Sequence, residues 1–160
     1  MKKVLTTSSF VVIALMAVGQ SNSYQSMKNT FIGGDDVHAF SVNGVFARAI
    51  FRMADEHAFS EAITDVKSIK LITIPKNEFG LKGVSVPGFK KLLKEDSFQE
   101  LADFRDKGDY VTFFHQKNGR GNDCYFILVE DEDDVIGIEM KGSINMNALM
   151  NLQKKVAYKG

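Results

Sequence analysis

The two side chains with the strongest capacity for covalent chemistry, Cys124 and His115, flank a predicted β-hairpin. The intervening Asn118-Gly119-Arg120-Gly121 is typical of a tight turn, with Gly119 and Arg120 at its centre. Antiparallel pairing about that turn places His115 opposite Cys124, with Cβ atoms about 5 Å apart on one face of the sheet. An imidazole beside a thiol accepts its proton, and an imidazolium lowers its pKa. The pattern therefore offers Cys124 as a candidate catalytic nucleophile and His115 as its base.

A structural role for Cys124 is the favoured alternative. A thiol among apolar neighbours behaves as a small core residue, and four apolar residues are predicted to share its face: Val111, Phe113, Phe126 and Leu128. A pairing shift of one residue would also send Cys124 and His115 to opposite faces of the sheet. The sequence leaves that register open.

Five consecutive acidic residues, 130–134, occupy the next predicted turn. Calcium prefers carboxylate oxygens, which makes Asp131 and Asp133 candidate calcium ligands. The run lacks the spaced carboxylates and the glycine of a helix-loop-helix calcium site, and the alternative is a solvated acidic turn. The three histidines match no zinc-ligand spacing. We therefore predict no cofactor.

The N-terminus has the three-part layout of a secretory signal peptide. Lys2 and Lys3 precede a mostly apolar stretch, and Ala17 and Gly19 have the small-residue spacing of a cleavage site. The longest uninterrupted apolar run, residues 10–18, is shorter than the roughly 20 residues that a membrane-spanning helix needs. We expect residues 1–19 to be removed, which leaves no stable membrane span and places the protein in the periplasm or outside the cell.

Composition excludes some partners and some sources of stability. The chain has 20 basic and 20 acidic residues, and loss of Lys2 and Lys3 leaves a slight acidic excess, so no nucleic-acid partner is predicted. A single cysteine forms no disulfide within the chain. Stability must come from apolar packing, which the 44% hydrophobic content and 13 phenylalanines support.

Hydrophobic periodicity predicts a flexible lead-in over residues 20–36 and a single α+β domain over residues 37–157. Ser97 and Glu100 form a capping box, which predicts a short helix beginning at Ser97. Residues 76–83 are predicted to be a loop. Predicted strands span residues 37–43, 66–74, 110–116, 124–129 and 135–141. Predicted helices begin near Phe46, Pro87, Ser97 and Asn145. The last of these helices is predicted to direct Met146, Leu149, Met150 and Leu152 inward.

The predicted element order is β-α-β-α-α-β-β-β-α. Three consecutive strands with short connections indicate an antiparallel meander and argue against a doubly wound parallel sheet. The predicted fold class is therefore α+β, with an antiparallel sheet and helices packed mainly on one face.

Several short segments resemble one known family. They are the helix ending Ile50-Phe51-Arg52-Met53, the strand Ser68-Ile69-Lys70-Leu71 and the closing Gly142-Ser143-Ile144. With the signal peptide, this layout resembles the small exported proteins of Bacteroidetes grouped as domain of unknown function 4252 (DUF4252). Many members look like lipoproteins, whereas this chain has no cysteine near the predicted cleavage site. The resemblance implies an exported protein and supplies no catalytic residues.

The leading functional hypothesis is a non-enzymatic exported module that binds another envelope protein or assembles with itself. Both faces of the predicted meander are apolar, and a face covered by no helix would form a large exposed patch. The residues predicted for that second face are Tyr110, Phe114, Tyr125, Ile127 and Val129. The alternative is a small thiol-dependent enzyme that uses Cys124 with His115.

Overall fold

The computed structural model describes residues 22–53, 57–106, 108–119, 121–145 and 147–148. The predicted signal peptide, residues 1–19, lies outside the described residues. So do Met146, Leu149, Met150 and Leu152 of the predicted last helix. The described elements are α1 (Ser23–Phe31), β1 (His38–Asn43), α2 (Gly44–Met53), α3 (His57–Ala62), β2 (Asp65–Pro75), α4 (Lys76–Leu81), α5 (Val86–Glu95), β3 (Gln99–Asp106), β4 (Asp109–Gln116), β5 (Cys124–Glu130) and β6 (Asp134–Ser143).

The strands form one six-stranded sheet in the order β1-β2-β6-β5-β4-β3, and each described pairing is antiparallel. The predicted α+β class with an antiparallel sheet is confirmed. The predicted meander corresponds to β4, β5 and β6. The observed meander begins one strand earlier, at β3. Strand β6 then lies between β5 and β2, which joins the meander to the β1–β2 pair.

The main core lies on the sheet face that carries Cys124, Phe126 and Leu128, called the first face below. Helices α1, α4 and α5 cover this face and contribute Tyr24, Met27, Phe31, Phe79, Phe89 and Leu93 to its apolar cluster. Phe126 is fully buried and its ring contacts those of Phe89 and Phe98. These three helices agree with the prediction that helices pack mainly on one face.

Helix α2 packs on the opposite face, called the second face, which carries Tyr125, Ile127 and Val129. Its Ala47 is buried with Ile63, Val66, Ile69 and Met140 in a smaller apolar cluster. The helix follows β1 without a linker. Gly44 at this junction lies so close to the carbonyl oxygen of Val66 that a Cβ would overlap it. Helix α2 therefore covers the end of the second face nearest the β1–α2 junction.

The structure corrects the predicted flexible lead-in, because residues 23–31 form α1. Tyr24, Met27 and Phe31 are buried on the first face. The Asp96 carboxylate accepts hydrogen bonds from the backbone N–H groups of Asn22 and Ser23 and from the Ser23 hydroxyl, at 2.6–3.2 Å. The helix is thus held to the sheet by apolar contacts and to the end of α5 by a carboxylate.

The predicted helix beginning at Ser97 is wrong, because residues 99–106 form β3. Ser97 adopts a left-handed conformation with φ of 67°, whereas a helix N-cap is extended. Its N–H bonds the carbonyl of Lys94 and so ends α5, while the Glu100 carboxylate pairs with the Lys94 amine at 2.9 Å. The predicted loop over residues 76–83 is also wrong in part, since residues 76–81 form the short helix α4.

Candidate functional site

The hairpin register separates the two predicted catalytic residues. His115 lies opposite Tyr125, and Cys124 lies opposite Gln116. Directly opposed residues share a face and neighbours along a strand alternate, so Cys124 faces the first face and His115 the second. The pairing predicted from the Gly119-Arg120 turn is therefore wrong by one residue, and β4 presents to each face the residues expected on the other.

Cys124 lies in the main apolar cluster and is fully buried. We expect its thiol in the folded protein to resist iodoacetamide during an hour in which the urea-denatured protein reacts completely, since a buried thiol is inert. Mass spectrometry of the intact chain would give the alkylated fraction. Rapid alkylation of the native protein with a thiol pKa below the ordinary value would contradict this assignment and restore Cys124 as a nucleophile.

His115 belongs to a polar cluster at the end of the second face. Its Nε2 lies 2.9 Å from Oδ2 of Asp123, and its ring stacks on Tyr125 with centroids 4.8 Å apart. The hydrogen bond with His115 and the backbone N–H of Asn118 lower the pKa of Asp123. Burial raises the pKa of Tyr125. The cluster holds the β4–β5 connection in place, and its histidine is directed away from Cys124.

Asp131 has a structural partner set within the acidic turn. Its Oδ1 accepts hydrogen bonds from the backbone N–H groups of Asp133 and Asp134, at 2.9 and 2.7 Å, and these bonds lower its pKa. An open cleft of about 620 Å³ beside the turn is lined by Asp36, His38, Asp133 and Asp134 among others. Within the described ranges, no three His, Cys, Asp or Glu residues are placed to hold a metal. Calcium binding by Asp131 and Asp133 stays an untested prediction.

A second buried cluster was not predicted from the sequence. Glu139 is 1% exposed on the first face, and its carboxylate pairs with the amines of Lys70 at 3.1 Å and Lys141 at 3.9 Å. The Lys70 amine also lies over the Tyr24 ring. The available signal was strand alternation. Val135, Gly137 and Glu139 are alternate residues of β6, so their side chains project on the same face of the sheet. The cluster lies beneath α1 and ties that helix to the sheet.

Beyond α2, the residues that the structure describes leave the second face incompletely covered. Two neighbouring rows of apolar residues cross the sheet there, and we call them the apolar band. One row contains Phe40, Leu71, Ile138, Ile127 and Phe113, and the other contains Ile136, Val129, Val111 and Phe104. Phe40 and Phe104, at the two edges, are 53% and 44% exposed, and the residues between them are half-buried. In these two rows the described positions carry no Asp, Glu, Lys or Arg.

The sequence prediction located only part of this band. Ile127 and Val129 were correctly assigned to the second apolar face, whereas Tyr110 and Phe114 lie on the first face because of the register shift. Phe40 and Phe104 were missed. Phe104 falls in the segment predicted as a helix, and alternation within residues 102–106 was the signal that would have placed it on a strand.

None of the helices described is long and apolar enough to cross a membrane. Comparison with curated proteins found no match, and comparison with solved structures found none either. The sequence profile of one family, described as "Domain of unknown function (DUF4252)", matches residues 24–152. That range runs from α1 through the whole sheet, and the chain belongs to this family.

Proposed function

We propose that this protein is an exported, non-enzymatic binding module of the cell envelope, whose apolar band binds an uncharged apolar surface of another envelope protein. The observation that carries the proposal is the band itself. It extends across all six strands and ends at two exposed phenylalanines, Phe40 and Phe104. Exposed apolar patches of this kind mark interaction surfaces in soluble domains.

The dimensions of the band suit a protein partner. Six strands spaced by about 4.8 Å give a width of about 24 Å, and the two rows are separated by two residues along each strand. A surface this wide is larger than a small-molecule contact and resembles the apolar centre of a protein interface, where aromatic residues are enriched and charges are depleted. Phe40, Phe104 and Phe113 supply the aromatic groups.

Export is the part of the proposal that depends on the sequence alone. The basic residues, apolar stretch and small residues of the first 19 positions support it. Fractionation of cells that express the full chain tests it, with mass spectrometry of the purified protein. The expected product begins at Gln20 and lies outside the cytoplasm.

The alternative, a thiol-dependent enzyme using Cys124 with His115, has weaker support. The two side chains face opposite sides of the sheet, and Cys124 is buried in the main core. A base must lie within hydrogen-bond reach of the group that it deprotonates. The geometry of the hairpin does not provide that contact.

A photo-crosslinking amino acid at position 104 tests the band as a binding surface. We expect ultraviolet irradiation of cells that express the full chain with this residue to yield a discrete, heavier adduct with an envelope protein. The matched control places the same residue at position 81, because Leu81 is also exposed, at 75%, but lies on α4 outside the band.

In the variant that carries the crosslinking residue at position 104, the further substitution Phe40→Glu should reduce the yield of the adduct several-fold. Removing a carboxylate from water against an apolar partner costs free energy. Equal adducts at positions 81 and 104, or no adduct at 104, would contradict the proposed function. An adduct with the mass of two copies of this chain would report contact between copies, and it would contradict the proposed function only if no adduct with a different envelope protein accompanied it.

A further inference from the structure

Strand β3 forms an open edge of the sheet. Within the described part of the chain it pairs with β4 on one side, and it is the last strand in the sheet order. Leu101, Asp103, Phe104 and Arg105 are all exposed. An open edge presents backbone N–H and C=O groups that can pair with another strand. The side chains of β3 therefore decide which strand it accepts.

The charges on β3 have a specific arrangement about Phe104. Asp103 and Arg105 lie opposite Thr112 and Tyr110 of β4, whose side chains project on the first face, while Phe104 projects on the second face. The pairing irregularity between Glu100 and Ala102 bends the strand before this segment. The regular stretch available at the edge is therefore centred on an acidic, an aromatic and a basic residue in succession.

We propose that two copies of this chain associate through their β3 strands, paired antiparallel about a two-fold axis at Phe104. In this register Asp103 of each copy lies opposite Arg105 of the other, which forms two ion pairs on the first face. Phe104 lies opposite its own counterpart on the second face. Opposite charges and aromatic pairs are favourable when directly opposed across antiparallel strands. The partner is thus a second copy of the same strand.

Charge complementarity selects this register over its neighbours. An axis at residue 103 would oppose two Asp103 carboxylates, and an axis at residue 105 would oppose two Arg105 guanidinium groups. In-register parallel pairing would oppose every charge with its equal. Like charges directly opposed are destabilising, so each of these alternatives is disfavoured. Among antiparallel pairings of two copies, the register centred on Phe104 is therefore the favoured one.

The side chains of Asp103, Phe104 and Arg105 also contact residues of β4, on the inner side of the edge strand. Oδ1 of Asp103 accepts a hydrogen bond from the Thr112 hydroxyl at 2.8 Å, and the Arg105 guanidinium lies 4.7 Å from the centre of the Tyr110 ring. The Phe104 ring meets Phe113 edge-on at 5.8 Å. The dimer would join the two sheets into one and make their apolar bands continuous.

Reversing the charges tests the proposal. Single substitutions Asp103→Arg and Arg105→Asp should each weaken self-association at least about tenfold, because each replaces two attractive pairs by two repulsive ones. The double variant Asp103→Arg/Arg105→Asp restores complementarity and should associate within about threefold of the original chain. Sedimentation equilibrium of the purified mature protein over a range of micromolar concentrations measures the dissociation constant.

Two controls separate this dimer from other effects. Lys91→Glu reverses a charge on the exposed face of α5 and should leave the dissociation constant unchanged. Phe40→Glu alters the apolar band at the far edge of the sheet and should also leave it unchanged, so failure of this inference and failure of the proposed function are distinguishable. Circular dichroism checks that each variant is folded.

A strictly monomeric protein at about 0.5 mM, a concentration at which even a weak specific dimer is populated, would overturn the inference. A dimer that survives both single reversals would overturn it as well, and would place self-association elsewhere. Failure of the double variant to recover while it remains folded would exclude the two-fold register at Phe104.

Discussion

Replacing Phe31 by alanine is expected to lower the free energy of unfolding by about 3–5 kcal/mol. Phe31 is 1% exposed at the end of α1, and its ring lies 4.5 Å from that of Phe79 on α4. The substitution removes a large buried side chain and leaves a cavity between two helices that cannot easily collapse. Urea unfolding followed by far-ultraviolet circular dichroism measures the change.

The adjacent residue provides a matched control. Ile32 is 51% exposed and caps the same helix through its backbone N–H, which Ile32→Ala retains. We expect this substitution to change the free energy of unfolding by less than about 0.5 kcal/mol. A small effect for both residues would show that α1 does not pack on the sheet in solution, and would return this segment to the flexible lead-in that its composition predicts.

Replacing Lys70 by methionine is expected to destabilise the fold by about 3 kcal/mol. The Lys70 amine lies 3.1 Å from the carboxylate of Glu139, which is 1% exposed. Among the described residues neither carboxylate oxygen has a partner in hydrogen-bond geometry, so the compensation for the buried charge comes from ion pairing. Removing one member of a buried ion pair leaves the other charge without adequate compensation, at a cost of about 3–5 kcal/mol. We expect the lower end because Lys70 is 29% exposed and water screens part of the interaction.

A double-mutant cycle separates the pair from its surroundings. Lys70→Met combined with Glu139→Leu should recover most of the lost stability, because well-packed apolar residues often replace a buried ion pair without loss. Lys91→Met removes the same type of charge from the exposed Lys91–Glu95 pair and should cost less than about 0.5 kcal/mol. Equal costs at Lys70 and Lys91 would show that burial of Glu139 adds nothing.

The elements that could be predicted are those whose local pattern agrees with their packing. Residues 66–74 are rich in β-branched side chains and end at Pro75, and they form most of β2. Helix α5 has Ser85 as its N-cap, whose Oγ accepts the N–H of Gly88, and Pro87 in its first turn. In both cases, local propensity and tertiary contacts favour the same conformation, so the sequence pattern was sufficient.

The hairpin register could not be predicted from turn propensity because side-chain contacts within the connection favour a different pairing. Turn propensity favoured a two-residue turn at Gly119 and Arg120, but the carboxylate of Asp123 bonds both His115 and the N–H of Asn118. These contacts stabilise a different connection and move the pairing by one residue. Since strand side chains alternate, that single step exchanged the faces of β4 and separated Cys124 from His115.

Two other errors have different physical causes. The polar composition of residues 20–36 concealed the spacing of Tyr24, Met27 and Phe31, which is that of a helix face. The capping box at Ser97 and Glu100 was present in the sequence, but the left-handed conformation of Ser97 excludes it from an N-cap position. The apolar band depends on strand order and register together, and for that reason only part of it was predictable.

The attachment of α1 to Asp96 depends on residues that are synthesised late. The backbone groups of Asn22 and Ser23 find their acceptor more than 70 residues later in the chain, and a ribosome adds roughly 5–20 residues each second. For several seconds, the residues of α1 therefore lack the carboxylate that holds the first turn and the β6 residues that the helix covers, and a segment of 9 residues alone forms no stable helix. A chain that ended before Asp96 would leave the apolar side chains of Tyr24, Met27 and Phe31 without strands β3 to β6, which complete the sheet that they cover.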